Sequence, residues 1–205
     1  MTRRHFAWLK AGVHALAMVP LVLLVARAFG VGELNLGANP VQELLHTLGK
    51  TALNLLLITL TITPLRRLTG LNWLVGLRRP LGLYAFAYAL LHAVTYAVLD
   101  WRLDMNTLLA DLTERPFITV GFLAVVMLVP LAVTSTRAMQ RRLGRSWLKL
   151  HRTVYAISAL GVLHFFWQVK LDTSLPLLYA GMLAILLGFR LVDWARKRAL
   201  RLAHQ

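Results

Sequence analysis

The stretch PLGLYAFAYALLHAVTYAVL, residues 80–99, decides the fold: it holds no Lys, Arg, Asp or Glu and a single histidine, His92. At about 1.5 Å of rise per residue, a helix of this length crosses the roughly 30 Å hydrocarbon core of a bilayer. An ionisable group at that depth is costly and as a rule functional. Residues 151–170, HRTVYAISALGVLHFFWQVK, give a second segment with His164 set equally deep.

Outward from these two, four more apolar segments follow, at about 10–29, 45–64, 116–136 and 176–194. Pro40, Pro64, Pro80, Pro116 and Pro176 stand near segment ends, where a missing N–H costs least. The sequence therefore predicts an all-α integral membrane protein, a six-helix transmembrane bundle forming one domain over residues 1–205. No room is left for a soluble domain or a long linker. Composition agrees, with 58% hydrophobic and 15% charged residues, where a soluble domain has about 25% charged.

The net charge of +15 would suggest nucleic acid in a soluble protein. Here the basic residues stand between apolar segments, which excludes nucleic acid and points to anionic membrane lipid as the partner. Eighteen Lys and Arg fall on one side, at the N-terminus, in the second-to-third and fourth-to-fifth connections and at the C-terminus. Arg27, Lys50, Arg102, Arg115 and Lys170 are the five on or near the other. Both termini are then cytoplasmic and the protein is a multi-pass protein of a bacterial inner membrane. Asp100, Asp104, Asp111 and Glu114 share one short outer loop. Thr2-Arg3-Arg4-His5-Phe6 looks like a twin-arginine export signal, but a full apolar span without a cleavage site follows it, so it reads as an uncleaved first helix.

There is no cysteine, which excludes disulfides, cysteine-bound iron–sulfur clusters and covalent haem attachment. Redox chemistry must then use a cofactor held non-covalently by histidine. His92 and His164 lie at matching depth in helices of the same direction, as the two axial ligands of one haem b iron would; the plain alternative is a pair of buried histidines hydrogen-bonded to Ser, Thr or Tyr. His151 stands thirteen residues before His164, about 20 Å along a continuous helix. It is a candidate contact for a second haem or a flavin, or else an interfacial histidine; Arg78 and Arg79 occupy the place where a histidine partner would be. His46, Lys50 and Asn54 form one polar stripe, facing the bundle or snorkelling outward. His14 has no assigned role, and His5 and His204 fall outside the membrane. Tyr84, Tyr88, His92 and Tyr96 recur every fourth residue, as aromatic packing does and as a cofactor-facing stripe would.

The string Thr134-Ser135-Thr136-Arg137-Ala138-Met139-Gln140-Arg141-Arg142-Leu143-Gly144 continues through Trp147 and Leu150-His151 to His164 and Trp167-Gln168-Val169-Lys170. With Ile62-Thr63-Pro64-Leu65 and Leu91-His92, it resembles the ferric-reductase-like transmembrane family, and within it the haem-binding membrane subunits of bacterial periplasmic methionine sulfoxide reductase systems. The resemblance covers nearly the whole chain. It implies that His92, His151 and His164 are haem histidines and that an FMN associates with the protein. It also implies delivery of electrons to a periplasmic, molybdenum-containing methionine sulfoxide reductase catalytic subunit. The implied donor is the quinone pool or a cytosolic flavin reductase. Flavin and nicotinamide domains of the wider superfamily are not seen in this sequence, so a separate donor is expected.

The reading is an electron-transfer subunit whose substrate chemistry belongs to a partner. Two rivals from other classes are a small proton-coupled transporter relaying through His and Lys, and a membrane anchor whose basic loops recruit a soluble partner. Neither needs haem.

Overall fold

The computed structural model describes residues 2–32, 34–100, 102–169 and 171–203; helices make up its regular structure and no strand occurs among the described residues. Lys170 and His204 lie outside them. In chain order come α1 (Arg3–Ala28), α2 (Pro40–Thr69), a 3₁₀ stretch (Asn72–Leu77) and α3 (Arg78–Thr95), which runs on as a π-helical turn over Tyr96–Asp100. Then follow α4 (Met105–Glu114), α5 (Pro116–Val133), α6 (Arg137–Leu143), α7 (Arg145–His151), α8 (Val154–Gln168) and α9 (Ser174–Ala203).

Local chemistry sets several of these boundaries. Pro40 opens α2, where its missing N–H is no loss, and the Asn39 side chain caps the helix by accepting from the Gln42 N–H at 3.2 Å. The same helix ends on Gly70, whose φ of 72° is the left-handed conformation that glycine adopts without a Cβ penalty. Thr136 caps α6 by accepting from the Met139 N–H at 3.2 Å. Between α7 and α8 the Thr153 hydroxyl folds back to donate to the Leu150 carbonyl at 2.7 Å.

Five helical stretches are long and apolar enough to cross a membrane: Arg4–Ala28, Pro40–Thr69, Asn72–Asp100, Pro116–Val133 and Ser174–Leu200. The segment expected at 151–170 takes another form. α7 ends at His151, a turn intervenes, and α8 has 15 residues, about 22 Å of helix. His151 and His164 therefore sit on different helices, and the continuous helix assumed between them is broken. The acidic connection between α3 and α5 also holds a short helix, α4, with Asp104 capping its first turn.

Helix α2 is the centre of the bundle. Its Leu48, Ala52, Leu55 and Leu56 pack with Ala85, Tyr88 and Ala89 of α3, Ala124 and Leu128 of α5, and Ile157 of α8. On its other side Leu53, Leu57 and Leu60 meet Val162 of α8 and Tyr179 and Leu183 of α9. Large apolar residues remain exposed outside this core, among them Leu16 and Val22 on α1, Phe122 on α5 and Leu177 and Ile185 on α9. Such a surface needs lipid around it.

Without water in the hydrocarbon core, backbone groups freed by proline need partners from neighbouring helices. In α1, just past Pro20, the Tyr88 hydroxyl donates to the Ala17 carbonyl at 2.7 Å and accepts from the Leu21 N–H at 3.1 Å. It is thus inserted between two groups that pair in an unbroken helix. In α2, Pro64 has no N–H for the Leu60 carbonyl, and Arg190 of α9 donates to that carbonyl at 2.7 Å. The same guanidinium reaches the Thr63 hydroxyl at 3.1 Å.

Candidate functional site

Between α2, α3, α5 and α8 lies a cavity of about 530 Å³, within the usual range for cofactor sites. His92 of α3 and His164 of α8 both line it, with ring centres 6.1 Å apart and ring planes at 77°. Each ring is held by the helix beside it. His92 Nδ1 lies 2.9 Å from the Leu45 carbonyl of α2, and His164 Nδ1 lies 2.7 Å from the Phe117 carbonyl of α5. A carbonyl oxygen only accepts, so both Nδ1 atoms donate, and in the neutral imidazole each Nε2 then keeps a lone pair. The two arrangements match in sequence as well, each carbonyl lying 47 residues before its histidine.

This geometry fits two axial ligands of one metal. An imidazole nitrogen binds a metal at about 2.0 Å and lies about 1.1 Å from its ring centre, so two imidazoles on opposite sides of one iron have centres about 6.2 Å apart. Among the described residues no group of three or more His, Cys, Asp or Glu could hold a bare metal ion. Two nitrogens suit a metal whose remaining ligands come from a macrocycle. Three residues before each histidine the chain is small, Ala89 and Gly161, and both line the cavity, leaving room for a flat ring beside the imidazole. Most of the remaining wall is apolar, with Leu53, Leu56, Leu128 and Ile157. The polar lining includes His46, Lys50, Asp100, Arg115 and Gln168, with Arg115 ion-paired to Asp111, so Lys50 is the cation there that could meet an anionic edge group of a cofactor with an apolar body.

The sequence profile of the ferric reductase like transmembrane component family matches residues 11–162, which run from α1 into α8 and include His92 and His151. The chain belongs to this ferric-reductase-like transmembrane family. It is similar to the protein-methionine-sulfoxide reductase heme-binding subunit MsrQ of Xanthomonas campestris pv. campestris (strain 8004), at 50% identity over 195 residues, 94% of this chain and 88% of the relative. It is also similar to the subunit of that name from Azospira oryzae, at 45% identity over 197 residues, 95% of this chain and 83% of the relative. No solved structure matches. As a member of the ferric-reductase-like family with several apolar spans, the protein is a multi-pass membrane protein.

Of the three histidines that the family resemblance singles out, the structure brings two together. His151 stands away from the cavity: its Nε2 lies 3.0 Å from the Thr134 hydroxyl and its ring stacks on Trp147 at 3.9 Å and 24°. Trp147 in turn donates its indole N–H to the Thr134 carbonyl at 2.9 Å, tying α7 to the end of α5. His46 faces the bundle, with Nε2 2.9 Å from the Gln168 amide nitrogen, which donates to it. Asn54, further along the same stripe, accepts from the Tyr179 hydroxyl at 2.6 Å. The tyrosine stripe divides. Tyr84 meets His14 at 3.0 Å and Tyr88 serves α1, while Tyr96 lines the cavity and donates to Asp111 at 2.8 Å. Asp111, 5% exposed, also accepts from Arg115 at 3.1 Å, so α4 is anchored at the cavity's end.

Proposed function

We propose that this ferric-reductase-like protein holds haem b between His92 and His164 and is the membrane electron-transfer subunit of a methionine sulfoxide reductase system. The observation that carries the proposal is the pair of Nδ1-protonated imidazoles 6.1 Å apart, Nε2 free, in a cavity walled by small and apolar side chains. The names of the relatives from Xanthomonas and Azospira support the same cofactor and the same system.

Bound there, haem supplies a one-electron carrier that cycles between ferric and ferrous states. The chain's own residues do the rest. Leu45 and Phe117 orient the rings through their carbonyls and raise the basicity of the ligating nitrogens. Lys50, at the cavity's edge, offers positive charge to a carboxylate of the ring. The apolar wall keeps water from the metal.

In this reading α8, continued by α7, completes a sixth crossing, and both termini face the cytoplasm with most of the basic residues. Leu45 and Phe117 lie in the opening turns of α2 and α5, at the periplasmic ends, so the haem sits in the outer half of the inner membrane. Electrons then come from a membrane quinol or a cytosolic flavin reductase docking on the basic loops, and leave to a periplasmic, molybdenum-containing catalytic subunit. The FMN and the His151 contact implied by the family resemblance belong on the inner part of this path.

The test is a reconstitution with purified components. Reduced donor plus this protein should leave a stable ferrous spectrum, and the periplasmic reductase with a methionine sulfoxide peptide should reoxidise it. Turnover of the peptide by this protein alone, or a ferrous spectrum that the complete partner leaves unchanged, contradicts the proposal.

A further inference from the structure

Both cavity histidines lie against a glycine one turn beyond the carbonyl that binds them. A Cβ built on Gly121 of α5 would stand 2.6 Å from His164 Nδ1, 2.8 Å from Cε1 and 3.1 Å from Cγ. A Cβ on Gly49 of α2 would stand 3.2 Å from His92 Cε1 and 3.3 Å from Nδ1. Real carbon contacts do not reach 2.6 Å, and the ring cannot yield freely because its Nδ1–H is committed to the Phe117 carbonyl at 2.7 Å. The contact at Gly49 is tight but less severe, asking the His92 ring to give by a few tenths of an ångström.

Among the other helical glycines, Gly76 lies against Phe6 and Gly161 against Leu53, neither of them a histidine, and several meet nothing at all. A Cβ on Gly82 of α3, or on Gly181 or Gly188 of α9, meets nothing within 4 Å. In a helix interior alanine is the better former, so a glycine kept there without a neighbour gains nothing locally. At 49 and 121 the missing side chain is the space the imidazole occupies.

We infer that Gly49 and Gly121 are positioning residues for the axial pair. Each forms a clamp with the carbonyl four residues earlier, Leu45–Gly49 for His92 and Phe117–Gly121 for His164. The carbonyl fixes the ring's tautomer and the glycine fixes its distance from the neighbouring helix, so together they place Nε2. The two clamps are graded, Gly121 being the less tolerant. This inference rests on the reading of His92 and His164 as haem ligands.

The test uses the full-length protein, purified in detergent with its haem, and compares Gly121→Ala, Gly49→Ala, Gly82→Ala and Gly181→Ala. Gly121→Ala should lose most of the low-spin spectrum in favour of a five-coordinate, high-spin one. Gly49→Ala should keep six-coordination with a shifted midpoint potential. The two control variants should match the parent in both. A second arm replaces the ligand by His164→Gly and titrates imidazole, which should restore the low-spin spectrum. Adding Gly121→Ala to that variant should raise the imidazole concentration needed by at least tenfold, because the methyl group occupies the same space. An unchanged spectrum and potential in Gly121→Ala, or an unchanged imidazole titration in the double variant, overturns the clamp. If Gly121→Ala does not accumulate as folded protein, Gly49→Ala decides, and an unchanged potential there overturns it equally. Failure of the underlying reading is distinguishable: His164→Ala itself would then keep the low-spin spectrum.

Discussion

His92 and His164 face one another with ring planes at 77°, each held by a backbone carbonyl of a different helix, Leu45 of α2 and Phe117 of α5. The relationship is between two helix pairs rather than two side chains, since α2 supports α3 and α5 supports α8. A mutation that loosens either pair should therefore act on the cofactor at a distance.

His151 offers the first contrast. It hydrogen-bonds Thr134 and stacks on Trp147 at the junction of α5 and α7, outside the cavity. His151→Ala should leave the spectrum of the His92–His164 site in place, slow its reduction from the cytoplasmic side, and cost about 1 kcal/mol of stability for the lost hydrogen bond. Spectra and donor-driven reduction rates on the purified variant check this. Loss of the low-spin spectrum, as expected for His164→Ala, contradicts it.

Arg190 and Pro64 make a second test. Arg190 takes the Leu60 carbonyl that Pro64 leaves without a donor. Replacing Arg190 by Met should destabilise the bundle by about 1–3 kcal/mol, the cost of an unsatisfied buried acceptor plus the lost bond. Adding Pro64→Ala restores a helical N–H for Leu60 and should recover part of that loss. A double-mutant cycle of thermal unfolding in detergent measures the coupling, and strictly additive effects contradict the assignment.

Topology is the third. Reporter fusions after Arg79, Arg145 and Arg198 should report cytoplasm, and fusions after Asn39 and Asp111 periplasm, if α7 and α8 together make a sixth crossing. A periplasmic signal after Arg198 contradicts the six-crossing bundle.

Much of this was legible in the residues themselves. Apolar runs gave the helices, because a lipid-facing segment must be both long and uncharged. His92 and His164 stood out as ionisable groups within such runs. The ends were less legible: α1 begins at Arg3 and α9 reaches Ala203, well beyond the apolar limits, since helices extend past the hydrocarbon region through polar turns. The break after His151 was hidden because it is a local tightening to i→i−3 bonds, Thr153 giving both its N–H and its hydroxyl to the Leu150 carbonyl, which hydropathy does not register. The carbonyls of Leu45 and Phe117 were invisible for a deeper reason: a backbone acceptor carries no residue identity. Only the recurrence of glycine one turn beyond each, at Gly49 and Gly121, left a trace in the sequence.

His92 and His164 are proposed to be the two axial ligands of one haem. Electron paramagnetic resonance of the oxidised, purified protein tests it most directly, because the relative orientation of the two imidazole planes sets the anisotropy of a low-spin ferric signal. Planes at 77° predict the highly anisotropic low-spin signal of near-perpendicular ligands, lost in both His92→Ala and His164→Ala. A rhombic signal of parallel imidazoles would contradict the 77° ring arrangement, and a low-spin signal that survives in either folded variant would contradict the ligand pair itself.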